Sequence, residues 1–102
     1  MKITLQNFYN DFPIGKACIH CETEDQAIKL LQEFHRIGKT WIIGRSYLKE
    51  TSWESYKSDT VYYNDGMFAD IGYAVRNKDV VIKFEDVIFA VEKLTEFIRS
   101  IR

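Results

Sequence analysis

TVYYNDGMFADIGYAVRNKDVVIKF, residues 60–84, is the stretch that decides the fold class. Its first part, TVYYND (60–65), is rich in β-branched and aromatic residues, which pack well on a pleated surface. Asp65-Gly66 is a hairpin turn signal, and FADIGYAVRN (68–77) reads as the returning strand. RNKD is a further polar turn. DVVIKFED (79–86) is a third strand, with Val80, Ile82 and Phe84 on one side and Val81 and Lys83 on the other. Three strands joined by tight turns imply a mostly antiparallel sheet.

Upstream, Thr51 and Glu54 form a capping-box pattern, which predicts a short helix over 52–57 with Trp53 and Tyr56 on one face. TWIIG (40–44) reads as a short strand, with at least two of Trp41, Ile42 and Ile43 facing a helix layer. Before it lies the strongest helical signal in the chain. Ala27, Ile28, Leu30, Leu31, Phe34 and Ile37 make one apolar stripe, Thr23 and Gln26 a capping box, and Gly38 a stop, predicting a helix over 24–37. KACIHCET (16–23) reads as a strand, NDFPIG as a turn, and KITLQNF as a short strand at the front.

Downstream, Asp86 stands where a helix cap belongs. Val87, Val91, Leu94, Ile98 and Ile101, with Ala90 and Phe97, then predict an amphipathic helix over 87–101. The order β-α-β-(short α)-β-β-β-α, with one further strand at the front, points to an α+β two-layer sandwich. Both long helices should cover one face of the sheet, within a single domain over residues 1–102.

Charge narrows the partners. Residues 1–51 carry seven basic and six acidic groups, and residues 52–102 seven and nine. Neither half is a basic block, which argues against a nucleic-acid footprint. Arg45, Tyr47, Lys49 and Trp53 mix basic and aromatic groups, but Glu50, Glu54 and Asp59 interrupt them, so a solvated loop is the better reading. No apolar run reaches signal-peptide or membrane-spanning length, and with only two cysteines a reduced cytoplasmic protein without a membrane partner is expected.

Catalytic and metal chemistry find little footing. Cys18, His20 and Cys21, with His35 on the next helix, have the residue types of a zinc site. Yet Cys18 and His20 share one face of a strand while Cys21 opposes them, so core thiols are expected and no metal or other cofactor. Adjacent residues on one strand cannot form the hydrogen bond that a nucleophilic thiol needs, which leaves His35 as the base that could swing toward either thiol, and no motif frames them. Asp65/Asp70 and Glu85/Asp86 sit in turns or caps, where acids are common for structural reasons. GKT at 38–40 lacks the upstream half of a phosphate loop and precedes a strand. A non-enzymatic protein is expected.

What remains is a surplus of rings. Tyr47, Trp53, Tyr56, Tyr62, Tyr63, Phe68 and Tyr73 exceed what one side of a four-stranded sheet hides, so they are the candidate partner surface. Trp41 is expected in the core. Trp53 and Tyr56, among charged neighbours, are expected to be partly accessible.

HCETEDQAIKLLQEFHRIGKTWIIGRS, the later W-E-S-Y, TVYY and VVIKFEDVIF, spanning about residues 17 to 89, carry a resemblance. The pattern resembles small uncharacterised proteins of phages and other mobile elements in low-GC Gram-positive bacteria. These are scaffold motifs, and no catalytic residue carries over. The resemblance implies a phage-type accessory protein that acts in the host cytoplasm by binding and inhibiting a host protein, a CRISPR effector or other defence factor, as anti-CRISPR proteins do. A homodimer is compatible with the long C-terminal helix. The alternative is a small-ligand or signalling-nucleotide sponge using an aromatic groove with Arg45, Arg76 or Lys78.

Overall fold

The computed structural model describes residues 2–89. Its elements are β1 (Ile3–Thr4), α1 (Leu5–Asn10), β2 (Ala17–His20), α2 (Glu24–Arg36), α3 (Trp53–Tyr56), β3 (Thr60–Tyr63), β4 (Phe68–Asp70), α4 (Ile71–Arg76), β5 (Val80–Lys83) and β6 (Val87–Ile88), with 3₁₀ turns at Lys57–Asp59 and Phe84–Asp86. The fold is α+β. A four-stranded sheet has the order β4-β3-β2-β5, and β1 and β6 form a separate parallel pair. Within the large sheet β3 runs antiparallel to both β2 and β4, while β5 runs parallel to β2 with Cys18 opposite Val81.

Alternation along the strands sorts their side chains onto two faces. Ala17, Ile19, Tyr62 and Ile82 join one core with Leu5 and Phe8 of α1 and with Ala27, Leu30, Leu31 and Phe34 of α2. Burying each of the larger aliphatic or phenyl groups of α2 stabilises the layer by roughly 1.5–3 kcal/mol. Cys18, Val61, Tyr63 and Ala74 form a second cluster on the opposite face, with Ile71 and Val81 packed against it. Cys21 belongs to the first core and Cys18 to the second, so the thiols face opposite ways.

Helix α2 forms for the reason its sequence gives. Thr23 Oγ1 accepts the Gln26 N–H at 3.2 Å, while Gln26 Oε1 accepts the Glu22 N–H at 2.8 Å. At the other end Gly38 takes φ +86, and the Gly38 N–H donates to the His35 carbonyl at 3.0 Å.

Four expectations need correction. The front strand stops at Thr4, whose Oγ1 accepts the Asn7 N–H at 3.1 Å and caps α1, so that Leu5 and Phe8 fall on one helical face. The returning strand of the hairpin likewise stops at Asp70, which caps α4 by accepting the Tyr73 N–H at 2.7 Å. A crossover here is required by topology, and α4 supplies it. Because β5 pairs parallel with β2 at the far edge of the sheet, the chain must cross the second face to reach it.

TWIIG is a turn, not a strand. The Gly44 N–H donates to the Trp41 carbonyl at 2.7 Å, the Trp41 N–H donates to the Arg45 carbonyl at 3.0 Å, and Gly44 adopts φ +89. Trp41 alone of its three bulky residues is buried. Finally, Val87 and Ile88 are extended and pair with Ile3 and Thr4, so no helix begins at Val87. The remainder of the expected 87–101 helix lies outside the described residues.

Candidate functional site

The rings proposed as a partner surface separate into two groups. Tyr47, Trp53 and Tyr62 belong to the core beneath α2. Trp41 gathers this group: its ring centroid lies 4.6 Å from Tyr47, 6.1 Å from Tyr62 and 5.8 Å from Phe68. The Trp41 indole N–H donates to the Glu50 carbonyl at 3.2 Å, and the Tyr62 hydroxyl donates to the Thr51 carbonyl at 2.7 Å. Trp53 is only 8% exposed, which corrects the expectation that its charged neighbours keep it near water. Those neighbours point out, while the indole turns inward at the start of α3.

Tyr56, Tyr63, Phe68 and Tyr73 come together at the β4 edge. With Gly15, Asp65, Met67 and Ala69 they line a cleft of about 310 Å³. Tyr56 packs on Phe68 at 5.8 Å, and Tyr73 meets Tyr63 edge-on at 6.4 Å. Tyr56 and Tyr73 are 41% and 49% exposed, whereas Tyr63 is buried and forms the floor. The Tyr63 hydroxyl donates to Asp79 Oδ2 at 2.6 Å. Burial and that bond together hold its phenol above the usual tyrosine range.

The hairpin turn that borders this cleft is held from two sides. Asn64, buried, accepts the Gly15 N–H on Oδ1 at 2.8 Å and donates Nδ2 to the Pro13 carbonyl at 3.3 Å. Gly66 has φ +86, and a Cβ there would lie 2.5 Å from the Ile42 nitrogen. In its place the Ile42 N–H donates to the Gly66 carbonyl at 3.0 Å.

Sequence reasoning missed what this clamp presents. Ile42 and Ile43 stand 59% and 71% exposed on a loop whose backbone is tied to itself and to the hairpin. Ile14, 79% exposed, lines a second hollow with Trp41, Ile42, Asp65 and Gly66, and Asp65 is common to both hollows. The available signal was Gly38 and Gly44 bracketing Trp41-Ile42-Ile43, since both glycines take a left-handed backbone that turns the segment back on itself.

The remaining candidates do not converge. Among the described residues, no group of three or more His, Cys, Asp and Glu could hold a metal ion. His20 Nε2 lies 2.7 Å from the Ser58 carbonyl, and His35 is exposed on α2. Burial pushes the Cys18 thiol up to about 12 and the Cys21 thiol higher still, so both stay protonated at neutral pH. Arg45 pairs with Glu50 at 3.6 Å on the isoleucine loop. Neither Arg45, Arg76 nor Lys78 lines the aromatic cleft. No protein-family model, curated protein or solved structure matches the chain. Among the described residues no helix is long and apolar enough to cross a membrane.

Proposed function

We propose that the chain is a non-catalytic accessory protein that binds and occludes a host protein, using the face around the 64–67 hairpin turn. One observation carries the reading. Large apolar side chains on this face are exposed although the backbone beneath them is fixed by hydrogen bonds. A fixed apolar surface loses little conformational entropy on association, which favours binding. The phage setting, and a CRISPR or other defence effector as target, rest on the sequence likeness described above. The location follows from them as the host cytoplasm. The sponge alternative gains no support from the cleft, whose lining includes no cation to meet a phosphate.

The test is capture from lysate of a low-GC Gram-positive host, repeated with and without a nucleotide pool. Wild-type protein is compared with Ile42→Ser/Ile43→Ser and Tyr73→Ala. A stoichiometric protein partner lost with these variants, at unchanged melting temperature, supports the reading. Retained nucleotide, or equal capture by all three proteins, rejects it.

A further inference from the structure

From the chemistry of the aromatic cleft we infer that it receives an arginine side chain of the partner. This rests on the interaction reading above and specifies its chemistry. Tyr56 and Tyr73 present half-exposed rings at its walls, Phe68 lies between Tyr56 and the core, and Tyr63 closes the floor. Ring faces carry negative potential, so they attract a cation placed over them.

Asp65 is the one charged residue among those that line the cleft. Its Oδ1 is engaged by the Met67 N–H at 3.0 Å. Its Oδ2 would lie 3.1 Å from a Cβ at Gly15, a glycine with φ +80, so this oxygen faces the glycine side of the cleft. The nearby cation on α4 does not compete for it: Arg76 lies along its own helix, with Nη1 3.2 Å from where a Gly72 Cβ would stand. The other nearby acid, Asp70, is occupied in capping α4. The cleft therefore combines aromatic walls, a carboxylate and no lining cation.

Arginine fits this combination better than lysine. A planar guanidinium stacks flat on a ring while its edge N–H groups meet a carboxylate, and it is more weakly hydrated than an ammonium. A neutral side chain of similar length would use the apolar walls and leave the carboxylate idle.

The experiment titrates the ¹⁵N-labelled full chain with N-acetyl-argininamide, N-acetyl-lysinamide and neutral N-acetyl-norleucinamide, following backbone amide shifts. Argininamide should give saturable, millimolar shifts centred on residues 65–73, with lysinamide weaker and norleucinamide not saturating. Asp65→Asn keeps an acceptor for the Met67 N–H but removes the charge, and should weaken argininamide about fivefold or more. Tyr73→Leu removes one ring and should weaken it about two- to fivefold. Equal binding of norleucinamide or lysinamide, an unchanged midpoint in Asp65→Asn, or no shift within 65–73 would each overturn the inference. Partner capture that survives Asp65→Asn would overturn it too while leaving the interaction reading standing. Argininamide binding with no captured partner would instead reject the interaction reading and leave only the cleft's affinity for arginine standing.

Discussion

Gly66→Ala should be among the most damaging single-methyl changes in this protein, and its cost divides into parts. Holding alanine at φ +86 costs about 1–2 kcal/mol. The new methyl would lie 2.5 Å from the Ile42 nitrogen and 3.0 Å from the Thr40 carbonyl oxygen, so hairpin and loop must separate. That breaks the Ile42–Gly66 hydrogen bond, worth about 1 kcal/mol net. It also shifts Trp41 against Tyr47, Tyr62 and Phe68, adding about 1–2 kcal/mol of repacking. The total is about 3–5 kcal/mol, a large share of the stability of a small domain, or a fall in Tm of roughly 15–30 °C.

Gly44→Ala is the matched control. Its φ is +89, but nothing lies within 4 Å of the added Cβ. Only the strain of about 1–2 kcal/mol should appear. Urea unfolding followed by tryptophan fluorescence reads both, since Trp41 and Trp53 are buried. If the two variants lose equal stability, the hairpin does not press on the 40–42 segment, and the account of how Ile42 and Ile43 are presented fails.

Other expectations follow from the same geometry. Trp41→Ala removes packing against three rings and the indole bond to the Glu50 carbonyl, and should cost about 3–5 kcal/mol by the same unfolding assay. Ile42→Ser/Ile43→Ser should change stability by no more than about 0.5 kcal/mol per site, because both side chains are already in water. Asn64→Ala leaves the Gly15 N–H without its acceptor, while the Pro13 carbonyl keeps the Lys16 N–H, and should cost about 1–3 kcal/mol. Stability should also fall in alkali. Cys18 titrates near 9 when unfolded and about 12 when folded, so the unfolded state binds fewer protons across that window. Its contribution is complete below pH 9 and lost as pH rises toward 12, and Cys18→Ala should flatten that part of a stability–pH curve.

The legible parts of the fold were those long enough to show a period. Over thirteen residues α2 displays its stripe, its capping box and its glycine stop, and β3 and β5 show runs of β-branched and aromatic residues. Six-residue α1 and α4 were missed because one and a half turns give almost no periodicity, and only Thr4 and Asp70 announce them. TWIIG was misread because Ile-Ile favours a strand, while the left-handed Gly44 closes the segment on itself. For the site, ring count identified Tyr56, Tyr63, Phe68 and Tyr73, which share the cleft. It could not separate them from Tyr47, Trp53 and Tyr62, since ring type alone does not record which side of a strand or loop meets α2. Asn64 gave no separate signal, because N-D-G is an ordinary turn whether or not its asparagine is buried.

The short β1–β6 pair sets an order on folding. Ile3 and Val87 stand at opposite extremes of the described chain, so their contact encloses nearly everything else in one loop. Closing so long a loop is entropically costly unless the intervening chain has already condensed. The β3–β4 hairpin and α2 need only local contacts and can form early, but β2 must wait for β5 to arrive at its second edge. On a growing chain β6 is the last of the described elements to emerge, so the clasp closes after the sheet, and with two residue pairs against four in β2–β5 it should open more readily. Amide exchange at Thr4 and Ile88 should accordingly run faster than at Ile19, even though both pairs are parallel.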